Sequence, residues 1–149
     1  MKDNLFTGYS HVGIYVTDIE KAIEFYEKVL DFKLLYRVDN ESDGLLIGML
    51  QLGNCVIELL EPPKEVGILP PQCAKENLIP SAGNTPNHIA ITVTDIEQAM
   101  KRVTSFGYEF ENRMAYHVPD FGSKNLDLKV SFFRGPNGER IELFQEIRK

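Results

Sequence analysis

An α+β fold built from two tandem βαβββ modules is predicted for this chain by three observations. The stretch His11 to Ala22 returns as His88 to Ala99, with eight of twelve positions identical at an offset of 77. A later echo sets Val56-Ile-Glu-Leu-Leu60 against Arg140-Ile-Glu-Leu-Phe144 at an offset of 84. In each half a period-2 segment runs into a helical one and then into further β-prone segments. Each half alone would be too small to bury a stable core, so the 149 residues are expected to form a single domain. Its modules are read as 9–61 and 86–146, joined by a linker at 62–85, because residues 61–86 hold six of the eight prolines.

The elements follow in order. The strand His11 to Val16 leads into Thr17-Asp-Ile-Glu20, and His88 to Val93 leads into Thr94-Asp-Ile-Glu97. Each is read as a Thr-x-x-Glu capping box opening a helix. Apolar residues then recur at helical spacing, at Ile19, Ala22, Ile23, Tyr26 and Leu30 and at Ile96, Ala99, Met100, Val103 and Phe106, so one face of each helix packs inward. Gly107 is expected just past the second helix, where a positive φ ends it. Strands are predicted at Lys33 to Val38, Gly44 to Leu52 and Asn54 to Leu60, with counterparts at Tyr108 to Asn112, Leu128 to Arg134 and Glu139 to Gln145. The second half is seven residues longer, and the extra length is assigned to a loop from Tyr116 to Asp127, a candidate lid.

Composition removes several functional classes. The net charge of −6 and pI near 5.1 argue against a nucleic acid or an anionic membrane surface as partner. No apolar run approaches the roughly 20 residues of a membrane span, and the N-terminal residues lack the pattern of an export signal. A cytoplasmic location is expected. Cys55 and Cys73 form neither a CxxC pair nor a disulfide framework.

Strand alternation sorts the repeated strands into two faces. Val12, Ile14 and Val16 share one face with His11, Gly13 and Tyr15 opposite, and Ile89, Ile91 and Val93 oppose His88, Ala90 and Thr92. Ile57 and Leu59 oppose Glu58, and Ile141 and Leu143 oppose Glu142. With the apolar faces against the helices, the other faces carry His11, Glu58, His88 and Glu142. A lone strand histidine or glutamate usually just meets water. The matched registers in both halves are what a solvated surface leaves unexplained. Two imidazoles and two carboxylates are a competent ligand set for a borderline divalent cation, and on an octahedral ion they leave two adjacent positions open.

Three motifs carry a family resemblance: the His-x-x-[Ile/Leu]-x-Val-x-Asp starts at His11 to Asp18 and His88 to Asp95, the helix Phe25-Tyr-Glu-Lys-Val-Leu30, and the close Phe133-Arg-Gly-Pro-Asn-Gly-Glu-Arg-Ile-Glu142-Leu. Over about Ser10 to Glu146 the chain resembles the vicinal oxygen chelate superfamily, which includes glyoxalase I, methylmalonyl-CoA epimerase, extradiol dioxygenases and the fosfomycin- and bleomycin-resistance proteins. The resemblance implies that the two modules form a cupped, eight-stranded mixed sheet around a metal, within one chain or across a dimer.

The His/Glu/His/Glu set of glyoxalase I maps onto His11, Glu58, His88 and Glu142. The epimerase usually has glutamine where this chain has Glu58, so the resemblance favours a lyase or isomerase of the lactoylglutathione lyase type. It implies proton transfer next to a carbonyl held by the metal, through an enediolate, with Glu142 as base and Glu58 facing the site from the other module. The implied cofactor is a divalent ion, Ni, Co or Zn foremost and Mn or Fe as alternatives. The partners are a small-molecule substrate and a second copy of the chain.

Where the glutathione-using bacterial enzyme has arginine and asparagine to hold its thiol, this chain has Tyr15 and Pro62. That points to another thiol adduct or a CoA thioester, with Tyr15 as a candidate substrate contact. The alternatives are an acyl-CoA epimerase and a non-enzymatic small-molecule or antibiotic-binding protein. His117 reads as a solvated loop residue, Cys55 as core on the helix-facing side, and Arg134, Arg140 and Lys124 as clustered surface charge.

Overall fold

The structure, a computed structural model, describes residues 9–65 and 88–149. These fall into two compact units, residues 9–65 in one and 88–149 in the other. Cys73 and all but the first four residues of the expected linker lie outside the described residues. The first unit runs β1 (Val12–Tyr15), α1 (Ile19–Leu30), β2 (Lys33–Asp39), β3 (Leu46–Leu52) and β4 (Cys55–Glu61). The second repeats it as β5 (Ile89–Thr92), α2 (Ile96–Ser105), β6 (Tyr116–Val118), β7 (Leu126–Arg134) and β8 (Arg140–Arg148).

The strands hydrogen-bond as two sheets of four, ordered β1-β4-β3-β2 and β5-β8-β7-β6. In both, the first strand lies parallel to the last, and the remaining pairs are antiparallel. The parallel pairing follows from the sequence of elements. A strand followed by a crossover helix can return parallel, whereas the short turns between later strands force antiparallel hairpins.

The helix caps differ from expectation. Asp18 and Asp95, not the preceding threonines, are the N-caps, with extended backbones and carboxylates accepting from the N–H groups of Lys21 and Gln98. An aspartate directly preceding the first helical residue holds its acceptor opposite the third helical N–H, which moves the cap one residue along from the Thr-x-x-Glu box. A second acceptor comes from the end of the last strand. Glu61 Oε2 accepts from the Ile19 N–H at 2.6 Å, and Gln145 Oε1 accepts from the Ile96 N–H at 2.9 Å. Positions 61 and 145 are related by the same offset as the strand echo, so each module ties the start of its helix to the strand bearing its glutamate. Replacing Asp18 or Asp95 by Ala should each lower the urea unfolding midpoint, because an N-cap acceptor is lost.

Helix α1 buries Ile19, Ala22, Ile23, Phe25, Tyr26, Val29 and Leu30. It lies close over its sheet: a Cβ added to Gly48 would come within 3.2 Å of Ile23 Cδ1. Gly48 is the partner of the fully buried Leu59, so the Ile57 and Leu59 face of β4 is the helix side. Glu58 therefore lies on the open side. In α2 only Ile96, Met100 and Val103 are buried.

Phe106, expected inward, is exposed. The helix stops at Ser105 and Gly107 takes a φ of 92° at the expected position, so Phe106 leaves the helical periodicity that would have aimed it at the core. Tyr108 and Phe110 pack instead on the buried Phe133 ring. The expected strand Tyr108 to Asn112 reduces to a single bridge between Phe110 and Phe133. The edge strand is β6, which falls at the start of the expected loop. Ladder pairing of Tyr116 with Val130 and Val118 with Leu128 outweighs the turn residues that follow.

Candidate metal centre

Each module brings one histidine and one glutamate together on the open face of its sheet. In the first, parallel pairing puts Gly13 beside Glu58, with His11 two residues before Gly13 on the same face of the neighbouring strand. His11 Nε2 and Glu58 Oε2 are 3.3 Å apart, and the ring's other nitrogen meets Ser10 Oγ at 3.0 Å. In the second, Ala90 lies beside Glu142, and His88 Nε2 is 2.9 Å from Glu142 Oε2. Both imidazoles stay partly open to solvent, while Glu142 is the more enclosed carboxylate, at 10% side-chain exposure against 23% for Glu58.

The donor atoms suit a cation. Two ligands at about 2.1 Å from one ion and at right angles stand about 3 Å apart, close to the His–Glu separations found here. Among the described residues no three His, Cys, Asp or Glu side chains stand so as to hold one ion, and each His–Glu pair offers two donors. Gly13 keeps the first pair accessible, since a Cβ there would lie 3.6 Å from Glu58 Oε2 and 3.3 Å from Leu60.

The surroundings of the two pairs differ. Cross-strand register places Met49 and Tyr36 on the open face beside Glu58, and the next row is Tyr15, Leu60, Ile47 and Val38. Tyr15, Tyr36 and Val38 are exposed. In the second module Phe132 takes the place of Met49, opposite Glu142, with its ring edge-on to His88 at 5.6 Å.

Arg140 occupies the place of Val56. It is not surface charge, as expected from the sequence, but is 14% exposed, stacked 4.0 Å over Phe132 and joined through Nε and Nη2 to both carboxylate oxygens of Glu111. The Glu111 hydrogen bonds push the Arg140 pKa up. Desolvation opposes them, and the charges of Glu111, Glu142 and Tyr116 add to the rise.

Phe132 is open to strand alternation from its place in β7. Glu111 is not, because its segment joins the sheet through one bridge and a hydrogen bond from its N–H to the Phe132 carbonyl. Arg134 is half-buried and donates to the Gly138 carbonyl, whereas Lys124 is exposed as expected. Cys55 is a free thiol, partly buried, with its pKa pushed up by desolvation.

His117 is in β6, not in a loop, and its Nε2 lies 3.0 Å from Asp127 Oδ2. Asp127 also accepts from Lys149 Nζ and the Asp120 N–H. Lys149 first, then the Asp120 amide, hold its pKa down to about 2 against desolvation, with His117 adding to them. A carboxylate with a depressed folded pKa stabilises fully above its unfolded pKa and loses that contribution as pH falls through the folded value. The stability gap between wild type and Asp127→Asn should therefore be widest near neutrality and close between about pH 4 and pH 2. Urea midpoints across that range measure it, and a gap that does not change with pH would refute the assignment.

A family model described as "Glyoxalase/Bleomycin resistance protein/Dioxygenase superfamily" matches residues 8–143. A lactoylglutathione lyase of Neisseria meningitidis serogroup A is 28% identical over 137 residues, covering 91% of this chain and 88% of that protein. The human mitochondrial methylmalonyl-CoA epimerase is 38% identical over 53 residues, covering 36% of this chain and 30% of that protein. Among solved structures, a glyoxalase family protein from Enterococcus faecalis has a TM-score of 0.67 at 23% identity, covering 93% of this chain and 98% of that one. The trypanothione-dependent glyoxalase I of Leishmania major has a TM-score of 0.66 at 22% identity, covering 91% and 84%. The fosfomycin resistance protein FosX of Listeria monocytogenes, complexed with Mn(II) and sulfate, has a TM-score of 0.64 at 14% identity, covering 95% and 93%. These likenesses support the α+β fold of two tandem βαβββ modules.

Proposed function

The chain belongs to the glyoxalase/bleomycin resistance protein/dioxygenase superfamily, and we propose that it is a divalent-metal-dependent lyase or isomerase of glyoxalase I type. The observation that carries this reading is the twofold recurrence of one His–Glu pair, Nε2 facing Oε2, at equivalent registers of β1/β4 and β5/β8. A packed or solvated surface gives no reason for both copies to keep it. The proposed ligands are His11, Glu58, His88 and Glu142, and the proposed ion is Ni, Co or Zn, with Mn or Fe as alternatives. A bound ion of this kind would supply Lewis acidity, lowering by several kcal/mol the cost of negative charge on a substrate oxygen.

The chain's own residues would move the proton. Glu142 takes it from the carbon next to the substrate carbonyl and returns it to the neighbouring carbon, a contribution of about 10²–10⁴-fold. The low exposure of Glu142 favours it for this role, because a carboxylate shielded from water keeps its proton for redelivery. For Glu58 the proposed role is to serve the opposite face of a planar intermediate. Tyr15 is the proposed substrate contact, exposed on the His11 face and continued by Leu60, Ile47 and Val38. An apolar row here suits an adduct of a thiol other than glutathione, or a CoA thioester.

The same proton chemistry serves an acyl-CoA epimerase, and the short match to methylmalonyl-CoA epimerase keeps that as the second reading. Turnover of methylglyoxal with a panel of thiols, set against proton exchange into methylmalonyl-CoA, separates the two. Protein purified without chelator should carry stoichiometric divalent metal. No ion present, and none rebound on titration, would sink both readings and leave a binding protein. No helix among the described residues is long and apolar enough to cross a membrane, and we place the protein in the cytoplasm as a homodimer. Light scattering on a sizing column tests the dimer.

A further inference from the structure

Immediately beside its His–Glu pair the second module holds a part-buried ion pair, at a position that is valine in the first module. Arg140 and Glu142 are two residues apart on β8 and so share a face. A guanidinium on that face can compete for the Glu142 carboxylate, since opposite charges near one another in a partly dry site attract strongly. In the structure the guanidinium is engaged elsewhere. Both oxygens of Glu111, its side chain 5% exposed, accept from it at 2.8 and 2.9 Å, and its Cζ lies over the Phe132 ring, 4.0 Å from the centroid. The Glu142 oxygen faces His88 instead. Glu111 is held in place by its own backbone, whose N–H donates to the Phe132 carbonyl at 2.9 Å.

The duplication supplies an internal comparison. Position 56 in the first module is valine, Glu58 has no cation at this spacing on its strand, and no counter-charge is needed.

We infer that Glu111 is a positioning residue whose carboxylate holds the Arg140 guanidinium away from Glu142, so that Glu142 stays available to a divalent cation. This rests on the metal reading given above. A fork of two parallel N–H···O bonds fixes the guanidinium plane as well as its charge. The stack on Phe132 fixes it a second time and backs the ring that meets His88.

The test is Co(II) binding to the full chain, stripped with chelator and followed by calorimetry and by the visible absorption of the bound ion. Outer partners of metal ligands commonly contribute 10–100-fold in affinity, and Glu111→Gln should lose about that much, because the released guanidinium pairs with Glu142. Adding Arg140→Met to Glu111→Gln removes the competitor and should bring Co(II) affinity back to within about threefold of wild type. A purely structural role would move the urea unfolding midpoint in step with Co(II) affinity, because a lone buried guanidinium destabilises the fold and removing both partners relieves it; the inference expects the affinity loss in Glu111→Gln to exceed what the midpoint accounts for.

Wild-type affinity in Glu111→Gln, or a double variant as weak as the single, overturns the inference while leaving the metal reading intact. Failure of the wild-type chain to take up Co(II) overturns both. Should Glu111→Gln fail to fold by circular dichroism, Glu111→Asp decides: it keeps the charge, shortens its reach, and should show a smaller loss in the same direction. Unchanged affinity in that variant refutes the inference.

Discussion

Glu142→Gln should lower kcat by about 10²–10⁴-fold, the usual contribution of a positioned general base, with the fold intact. The amide is close in shape to the carboxylate and can still meet His88, so circular dichroism and unfolding midpoint should barely move. It retains an oxygen donor for a cation but cannot accept a proton from carbon. KM should therefore change less than kcat, the sign of an interaction made in the transition state and not in ground-state binding. Steady-state kinetics with the substrate identified in the thiol or acyl-CoA screen measure this. Full activity in the variant would show that another group, with Glu58 first in line, is the base.

His88→Ala should weaken divalent-metal binding by more than the 10–100-fold typical of an outer partner, because a ligand itself is lost. His11→Ala should do the same. The two histidines lie in different modules, so comparable losses from both, with one ion bound per wild-type chain, would mean that the ion draws on both halves of the duplication, whereas two ions per chain would mean that each pair binds its own. Titration of stripped protein with Co(II) or Zn(II) reads the loss directly, whether or not a substrate is known. Retention of wild-type affinity in either variant would remove that histidine from the ligand set and reduce the site to the other module's pair. Folding should survive both changes, since each imidazole is about one-third exposed and the core lies on the opposite face of its sheet.

The repeat and the strand alternation make the two βαβββ modules and the four candidate ligands legible in the amino-acid sequence. Both rest on local periodicities, which survive in sequence because each side chain's face is set by its own strand. Gly107 is legible for a similar reason, as a positive φ just past a helix favours glycine. The caps sit one residue beyond the Thr-x-x-Glu positions because threonine and aspartate both serve as N-caps, and only backbone geometry chooses between them. β6 escapes the pattern because three residues among turn formers carry too little of it. Phe106 departs from its helical register because periodicity does not say where a helix ends.

By itself the sequence determined the duplicated βα start of each module, the faces of the strands that carry the histidines and glutamates, and hence which histidine shares a sheet face with which glutamate within each module. Tertiary structure alone decided what surrounds them: Phe132 against His88, Arg140 turned from solvent to Glu111, and Glu142 more enclosed than Glu58. The physical reason is range. Alternation and capping depend on neighbours within a few residues, whereas the Glu111–Arg140 pair joins positions 29 apart through a segment with no regular pattern. Its charges would read as surface charge anywhere the chain did not fold them together.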